Sequence, residues 1–421
     1  MAYAPIFSGL MLLWAVAAVL GGQGFSPLIG LCALAGLAFA RPAAPVRAYA
    51  VAGLAFAGWA ALSAVWSPAG GPLVSGTLSG GDFSLNAASL RLVLMASAIL
   101  LTFMAMSRVP PGSAPKSRWT LIAAFAFAGV AIVVSALFLQ PLLALAYDTP
   151  QEAMTAGMQN VLRQANAFAI ALPFLLAVIW TSRDHWMARA AAMVVGLVAG
   201  VIFVRFGSAA ALMAVVFATL AMGVVKLLPR RGFAVLSGIW AAAIALAPLV
   251  FANAGRIIDA TGAPVPFSFR SRAYAWQSVG ERIWERPLTG HGLEATGTWG
   301  ATYADRSEWL AEITALGGHP DAWSRYRIIP GHPHNMPLEI WAETGLVGAA
   351  LAVLAVLTLG QRLPAPRRIA PEACFALAGL LGAALSLFCF SYSMWNEAGW
   401  AMVSLAGAGT LLLARQGMQA Q

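Results

Sequence analysis

The sequence predicts an all-α integral membrane protein of about twelve transmembrane helices with one large, partly helical loop, and three observations carry that prediction. The 421-residue chain is 60% hydrophobic, with a mean hydropathy of +0.77. Only 10% of its residues are charged, where a soluble domain carries about 25%. Apolar stretches of about 17–25 residues, the length that crosses a bilayer as helix, recur along the whole chain. The charge deficit is too large for a water-facing surface, which excludes a soluble helical protein.

Taken in order, the expected spans are 6–21, 26–40, 48–66, 88–107, 119–138, 165–182, 190–205, 208–225, 232–252, 337–360, 371–391 and 397–414. The first begins close to Met1, lacks a basic leader and is followed directly by another span. It therefore reads as a retained helix, not a cleaved signal. Between Arg205 and Ser208 a break separates two spans that would otherwise form one long kinked helix.

Charge tests this topology. With the N-terminus in the cytoplasm, the inner loops hold Arg41, Arg47, Arg108, Lys116, Arg118, Arg183, Arg189, Lys226, Arg230, Arg231, Arg362, Arg367, Arg368 and Arg415, against two acids, Asp184 and Glu372. This is a strong positive-inside pattern, and it requires the break near Arg205. It also explains the net charge of +9 without nucleic acid. Cys32, Cys374 and Cys389 all fall within apolar spans and form neither a disulfide framework nor a metal-ligand spacing.

The outer surface differs. Residues 253–336 form a long hydrophilic loop with eight Arg, eight acidic residues and four of the five His, too long for a simple connection. The expected organisation is thus 1–252 membrane helices, 253–336 loop domain and 337–421 membrane helices. Within the loop, Tyr274, Trp276, Val279, Ile283 and Trp284 fall at roughly helical spacing and predict a helix over 271–286. A second outer segment spans 139–164. No internal repeat is visible, so the commonest signature of a secondary transporter is missing.

The string from Gly331 to Gly348 reads as a loop entering a transmembrane helix from outside. Pro337 suits the first helical turn, and Asn335 is a candidate N-cap. The unpaired N–H groups of such a terminus favour an anion, for instance a pyrophosphate. His332 and His334 sit at that point, and neutral imidazole is the natural general base near neutral pH. Equally, the pair could be a chance surface feature or a weak metal site. A third ligand is usual for zinc, and neither His291 nor His319 has a ligand spacing, so no metal is expected. Glu339 and Glu343, one turn apart at the start of the helix, could line a polar cavity or orient a His, because acids at membrane depth need a partner.

Arginine suits phosphate oxygens through its fork of donors. Arg272 opens the expected loop helix and is open to either a phosphate role or a surface ion pair. Arg282 and Arg286 read as surface partners of Glu281 or Glu285. Arg163, Arg205 and Arg91 lie at outer ends of spans, where a functional charge and a headgroup-snorkelling one are equally compatible with the sequence.

Together these strings resemble the O-antigen ligase and polymerase family of bacterial envelope glycosyltransferases. The resemblance rests on His-x-His-Asn-x-x-Leu-Glu followed by Glu-x-Gly-Leu-x-Gly, here His332 to Gly348. Ser-Arg-x-x-x-Trp followed by Arg-Pro-Leu-x-Gly-x-Gly, here Ser271 to Gly292, reinforces it, as does the helix start at Asn166. It implies a GT-C-like fold in the inner membrane, both termini cytoplasmic, and a periplasmic active site that needs no cofactor. It further implies a donor glycan on undecaprenyl pyrophosphate and an acceptor hydroxyl on lipid A–core oligosaccharide. His334, or else His332, would activate the acceptor; Arg272, Arg205 and Arg163 would hold the pyrophosphate; Asn335, Glu339 and Glu343 would support them. One departure stands out. The family often has Ser-Arg at the outer start of a middle span, whereas here Arg205 precedes Ser208 by three residues.

A repeat-unit polymerase for O-antigen or exopolysaccharide would share the donor and differ in acceptor. The Arg-x10-Gly string of such polymerases occurs here from Arg286 to Gly297, but glycine is so frequent that the match decides little. A transporter would place ionisable residues in mid-span, and these are almost absent.

Overall fold

The computed structural model describes residues 3–40, 44–71, 87–182, 186–262, 265, 267–317 and 319–417, with the side chains of 44–49 and 417 left aside. Arg41, Arg183 and Asp184 of the charge pattern, and the Arg47 side chain, thus lie outside the described residues. Among these residues the fold is helical, and the sole β-feature is an isolated bridge between Thr302 and Arg327.

Eight helices are long and apolar enough to cross a membrane, or nine if one bent pair is counted as a span. In chain order the helices that matter are α1 (Tyr3–Val19), α2 (Phe25–Gly36), α3 (Ala50–Trp66), α4 (Ala88–Met106), α5 (Pro115–Leu137), α6 (Pro150–Thr181), α7 (Trp186–Arg205), α8 (Ala209–Leu227), the bent pair α9 (Gly232–Ala245) and α10 (Ala247–Thr261), then α11 (Phe267–Ile283), α12 (Ser307–Ala315), α13 (Met336–Arg362), α14 (Pro371–Phe390) and α15 (Glu397–Gln416). The first three expected spans correspond to α1–α3, which are apolar but short. The chain is a multi-pass membrane protein.

Local chemistry explains the boundaries. Arg205 ends α7, Gly207 takes a left-handed φ of 67°, and the Ser208 hydroxyl caps α8 by accepting from Ala211 N. The expected break is therefore real. The expected span 232–252 differs: it bends by 59° at Leu246, with Pro248 opening the next helix, and α10 leaves at a new angle. The outer segment 139–164 is mostly helix, because α6 starts at Pro150, with the Thr149 side chain as its cap.

The core is built around α6 and α14, the most deeply buried of the long apolar helices among the described residues. Small residues bring backbones close there. A Cβ on Gly382 would collide with the Phe217 carbonyl of α8, and one on Gly379 with Met222 and Pro173. Large apolar side chains such as Leu197 (70% exposed) and Leu220 (63% exposed) point outward, as a lipid-facing surface requires.

Arg118 pairs with Glu372, Arg415 bonds Ser107 O and Arg367 N bonds Pro229 O, so these basic segments collect at one end of the bundle, while the 253–335 segment leads into the end of α13 opposite Arg362. That segment has its own aromatic core. Tyr274 stacks on Trp309, while Trp276, Trp299, Tyr303 and Ile313 are buried with Leu338 and Ala342 of α13. The loop is thus welded to the membrane helix that follows it.

Candidate functional site

The weld has a specific architecture. Helix α13 is broken at Gly345, whose φ of 64° and ψ of −166° are essentially reserved for glycine. The Pro287–Gly292 segment enters this break and supplies the missing partners. Leu346 N donates to Pro287 O (2.8 Å) and Val347 N to Leu288 O (3.3 Å), while His291 N donates to Ala342 O (2.8 Å) and Gly292 N to Glu343 O (2.9 Å). A side chain on Gly345 would collide with Leu288 O, and one on Gly290 with the Glu343 carbonyl. From α3, Trp59 Nε1 bonds Thr344 O (2.9 Å) and Trp66 Nε1 bonds Gly290 O (3.2 Å). Irregular backbone at membrane depth persists where protein buries and satisfies it. The two glycine-containing strings of the sequence are therefore the two halves of one joint.

The two acids of α13 serve similar ends. Glu343 accepts from Glu294 N (2.7 Å), Thr296 N (3.0 Å), Thr296 Oγ1 (2.6 Å) and Trp395 Nε1. Glu339 accepts from Ser393 Oγ (2.8 Å) and Met394 N. Neither lines an open polar cavity or touches a histidine, contrary to expectation; they bind the loop and the 391–396 turn, and Glu339 acts on His334 only through that turn.

The histidines stand at the top of α13. Asn335 is its N-cap, accepting from Leu338 N (2.9 Å) and donating through Nδ2 to Cys389 O (2.9 Å). Pro337 occupies the first turn. His334 adopts a left-handed φ of 53°, rare for a non-glycine residue. Its Nδ1 lies 2.9 Å from Ser391 O. A carbonyl only accepts, so Nδ1 carries the proton and Nε2 the free lone pair. The His334 backbone N–H donates to His332 Nδ1 (3.1 Å). That nitrogen must hold a lone pair, so a neutral His332 is protonated on Nε2. The rings lie 4.2 Å apart. Side by side, His334 offers an acceptor and His332 a donor.

Burial holds both rings neutral. It pushes the His332 imidazolium down to about 3, with His334 and Arg272 acting in the same direction. Burial also lowers His334, reinforced by Arg272 and opposed by the bond to Ser391. Arg272 is itself lowered by burial, and among the described residues no acid or hydrogen-bond acceptor pairs with it. One turn along α11, Trp276 Nε1 donates to Pro333 O (2.8 Å), so this face of α11 fixes the histidine loop and presents Arg272 to it.

Other cations are engaged. Arg91 bridges Glu294 and Glu397, which identifies it as a tie between α4, the loop and α15. Arg282 does not pair with Glu281 or Glu285; it lies over the Trp299 ring, and Glu281 bonds Arg306 instead. Arg163 is exposed near the middle of α6, weakly bonded to Asn160 Oδ1 (3.5 Å), with its charge acting on Tyr392. Arg205 is at the same end of the bundle but separate. Its Nε donates to Ala136 O (2.7 Å), at the rim of an apolar groove of about 380 Å³ between α5 and α7. Among the described residues it contacts neither histidine.

The structure therefore sets His332 beside His334 and Asn335 at the start of α13 with the charge of Arg272 acting on both rings, ties Glu339 to the 391–396 turn on which Arg163 also acts, and leaves Arg205 apart. Sequence reasoning missed that turn, Ser391 to Asn396, although a polar and aromatic run between two apolar spans was a usable signal.

These features define a class: a multi-pass membrane protein whose loop and helix ends converge on a half-buried histidine–arginine centre. Residues 197–353, running from α7 into α13, match the family described as O-antigen ligase. This region of the chain is similar to the O-antigen ligase and polymerase superfamily, whose members are membrane glycosyltransferase-like enzymes. No curated protein matches the chain.

Proposed function

We propose that the protein is an O-antigen ligase, a GT-C-like enzyme of twelve spans acting at the periplasmic face of the inner membrane. The three units 1–252, 253–336 and 337–421 would build it. It transfers a glycan from undecaprenyl pyrophosphate to a hydroxyl of lipid A–core oligosaccharide. The observation that supports this reading best is a neutral His334, whose Nε2 is free, under the charge of Arg272, a half-buried cation with no acid partner among the described residues.

In the proposed reaction the acceptor O–H gives its proton to His334 Nε2. The acceptor oxygen bonds to the anomeric carbon of the donor as the carbon–oxygen bond to pyrophosphate breaks. The pyrophosphate leaves with the electron pair, and the anomeric centre inverts. Arg272 neutralises the developing charge, with Arg163 of α6 and, from its separate position at the end of α7, Arg205 proposed as further cations, and such electrostatic stabilisation needs no metal. The His332 Nε2–H is placed to donate to a phosphate or hydroxyl oxygen.

The test is transfer by the purified protein between lipid-linked glycan and lipid A–core. His334→Ala and Arg272→Ala should each lose at least about 100-fold in turnover, the scale of a general base, with unchanged thermal midpoints. Wild-type turnover in both variants overturns the assignment. Lipopolysaccharide from a deletion strain separates the acceptors: bare lipid A–core indicates a ligase, and core bearing a single repeat indicates a polymerase.

A further inference from the structure

Behind His334 lie two polar atoms that no described residue satisfies. Tyr392, 8% exposed, and Asn166, 5% exposed, face one another from the turn after α14 and from α6. Among the described residues the Tyr392 hydroxyl has no hydrogen-bond partner, and neither has Asn166 Oδ1. Asn166 lies close enough to act on the phenol as a hydrogen-bonding neighbour, yet the two fall short of a hydrogen bond in distance or angle. Asn166 Nδ2 reaches only Ser391 Oγ, at 3.5 Å. Ser391 is the residue whose carbonyl holds His334 Nδ1, and Tyr392 follows it in the chain. Burial pushes the Tyr392 phenol up to about 12, against smaller opposing effects of Asn166 and Arg163, so it remains an O–H donor.

Buried polar groups are bonded as a rule, and an orphan calls for an explanation. Here a donor and an acceptor stand together unused. A phosphate oxygen, which only accepts, would satisfy Tyr392 and leave Asn166 Oδ1 unpaired. An alcohol both donates and accepts, and would satisfy both.

We propose that Tyr392 and Asn166 form a subsite for one sugar hydroxyl beside the transferring centre. The hydroxyl donates to Asn166 Oδ1 and accepts from the Tyr392 O–H. The inference rests on the glycan-transfer reading above. The sugar belongs either to the first residue of the lipid-linked donor or to the acceptor, since both must approach His334.

The experiment uses the full-length protein with both substrates varied. Tyr392→Phe removes an unpartnered hydroxyl, so its thermal midpoint without substrate should equal that of the wild type. The KM for one substrate should rise about tenfold, the effect of one hydrogen bond, with kcat little changed. Asn166→Leu should raise the same KM. A rise for the donor identifies the donor sugar, and a rise for the acceptor identifies the acceptor sugar. An analogue of that substrate lacking the single hydroxyl should bind the wild type and Tyr392→Phe equally. Unchanged KM values for both substrates overturn the subsite, as does a lowered midpoint without a KM effect, which would mean internal packing or a trapped water. Those outcomes require active wild-type protein; an inactive wild type instead refutes the glycan-transfer reading, and the subsite with it.

Discussion

Replacing Gly345 by alanine tests the joint between the loop and α13. The backbone there has φ 64° and ψ −166°, and Leu288 O occupies the space a methyl group would need. Strain of this kind costs about 1–3 kcal/mol. If the collision expels the Pro287–Gly292 segment, four backbone hydrogen bonds are lost, each contributing roughly 0.5–1.5 kcal/mol. The total is on the order of 3–9 kcal/mol, large for a single methyl group. Gly238 on α9 is the control, because nothing lies within 4 Å of the Cβ it would gain. Both variants would be purified as the full chain in detergent and followed by thermal unfolding and limited proteolysis. Gly345→Ala should unfold at a clearly lower temperature and be cut faster within 253–335, while Gly238→Ala should match the wild type. Equal midpoints and equal proteolysis in the two variants would refute the joint.

Other outcomes follow from the same geometry. The folded His332 imidazolium titrates at about 3, below its ordinary 6.5, so the unfolded chain takes up the proton first as pH falls. The associated stability is complete above pH 6.5 and drains away toward pH 3; unfolding at pH 7 and pH 5 should show this loss, and His332→Gln should reduce it. Trp276→Phe removes the donor to Pro333 O and should lower kcat more than it raises either KM, because the histidine loop loses its brace; a pure KM effect would contradict this role. Arg91→Met breaks two part-exposed ion pairs and should cost about 1 kcal/mol or less in stability while leaving transfer intact, as steady-state rates would show.

Much of the frame was legible because it is local. Apolar length located the helices, and the break at Gly207–Ser208 followed from charge parity. Asn335 and Pro337 announced a helix start by residue type alone. What stayed hidden depends on partners far apart in the chain. Nothing near Glu343 points to Thr296 or Trp395, and nothing near His334 points to Ser391. Glu339 and Glu343 read as cavity acids because their sequence neighbours are apolar; their true partners are backbone and side-chain donors from two other segments. Arg91 was equally open to a functional and a headgroup-facing reading until its acids, Glu294 and Glu397, arrived from remote positions. Arg272 could be narrowed only once Trp276 fixed the face of α11 toward Pro333.

The turn after α14 sets an order of events during synthesis. Asn335, His334 and Glu339 leave the ribosome well before Cys389, Ser391, Ser393 and Met394, which bond them. Chains fold from the N-terminus as they emerge, so through this interval His334 has no carbonyl to hold its ring. The imidazole gains its fixed proton only when nearly the entire chain is inserted, and a translation product halted after α13 would carry every proposed catalytic side chain yet remain inert.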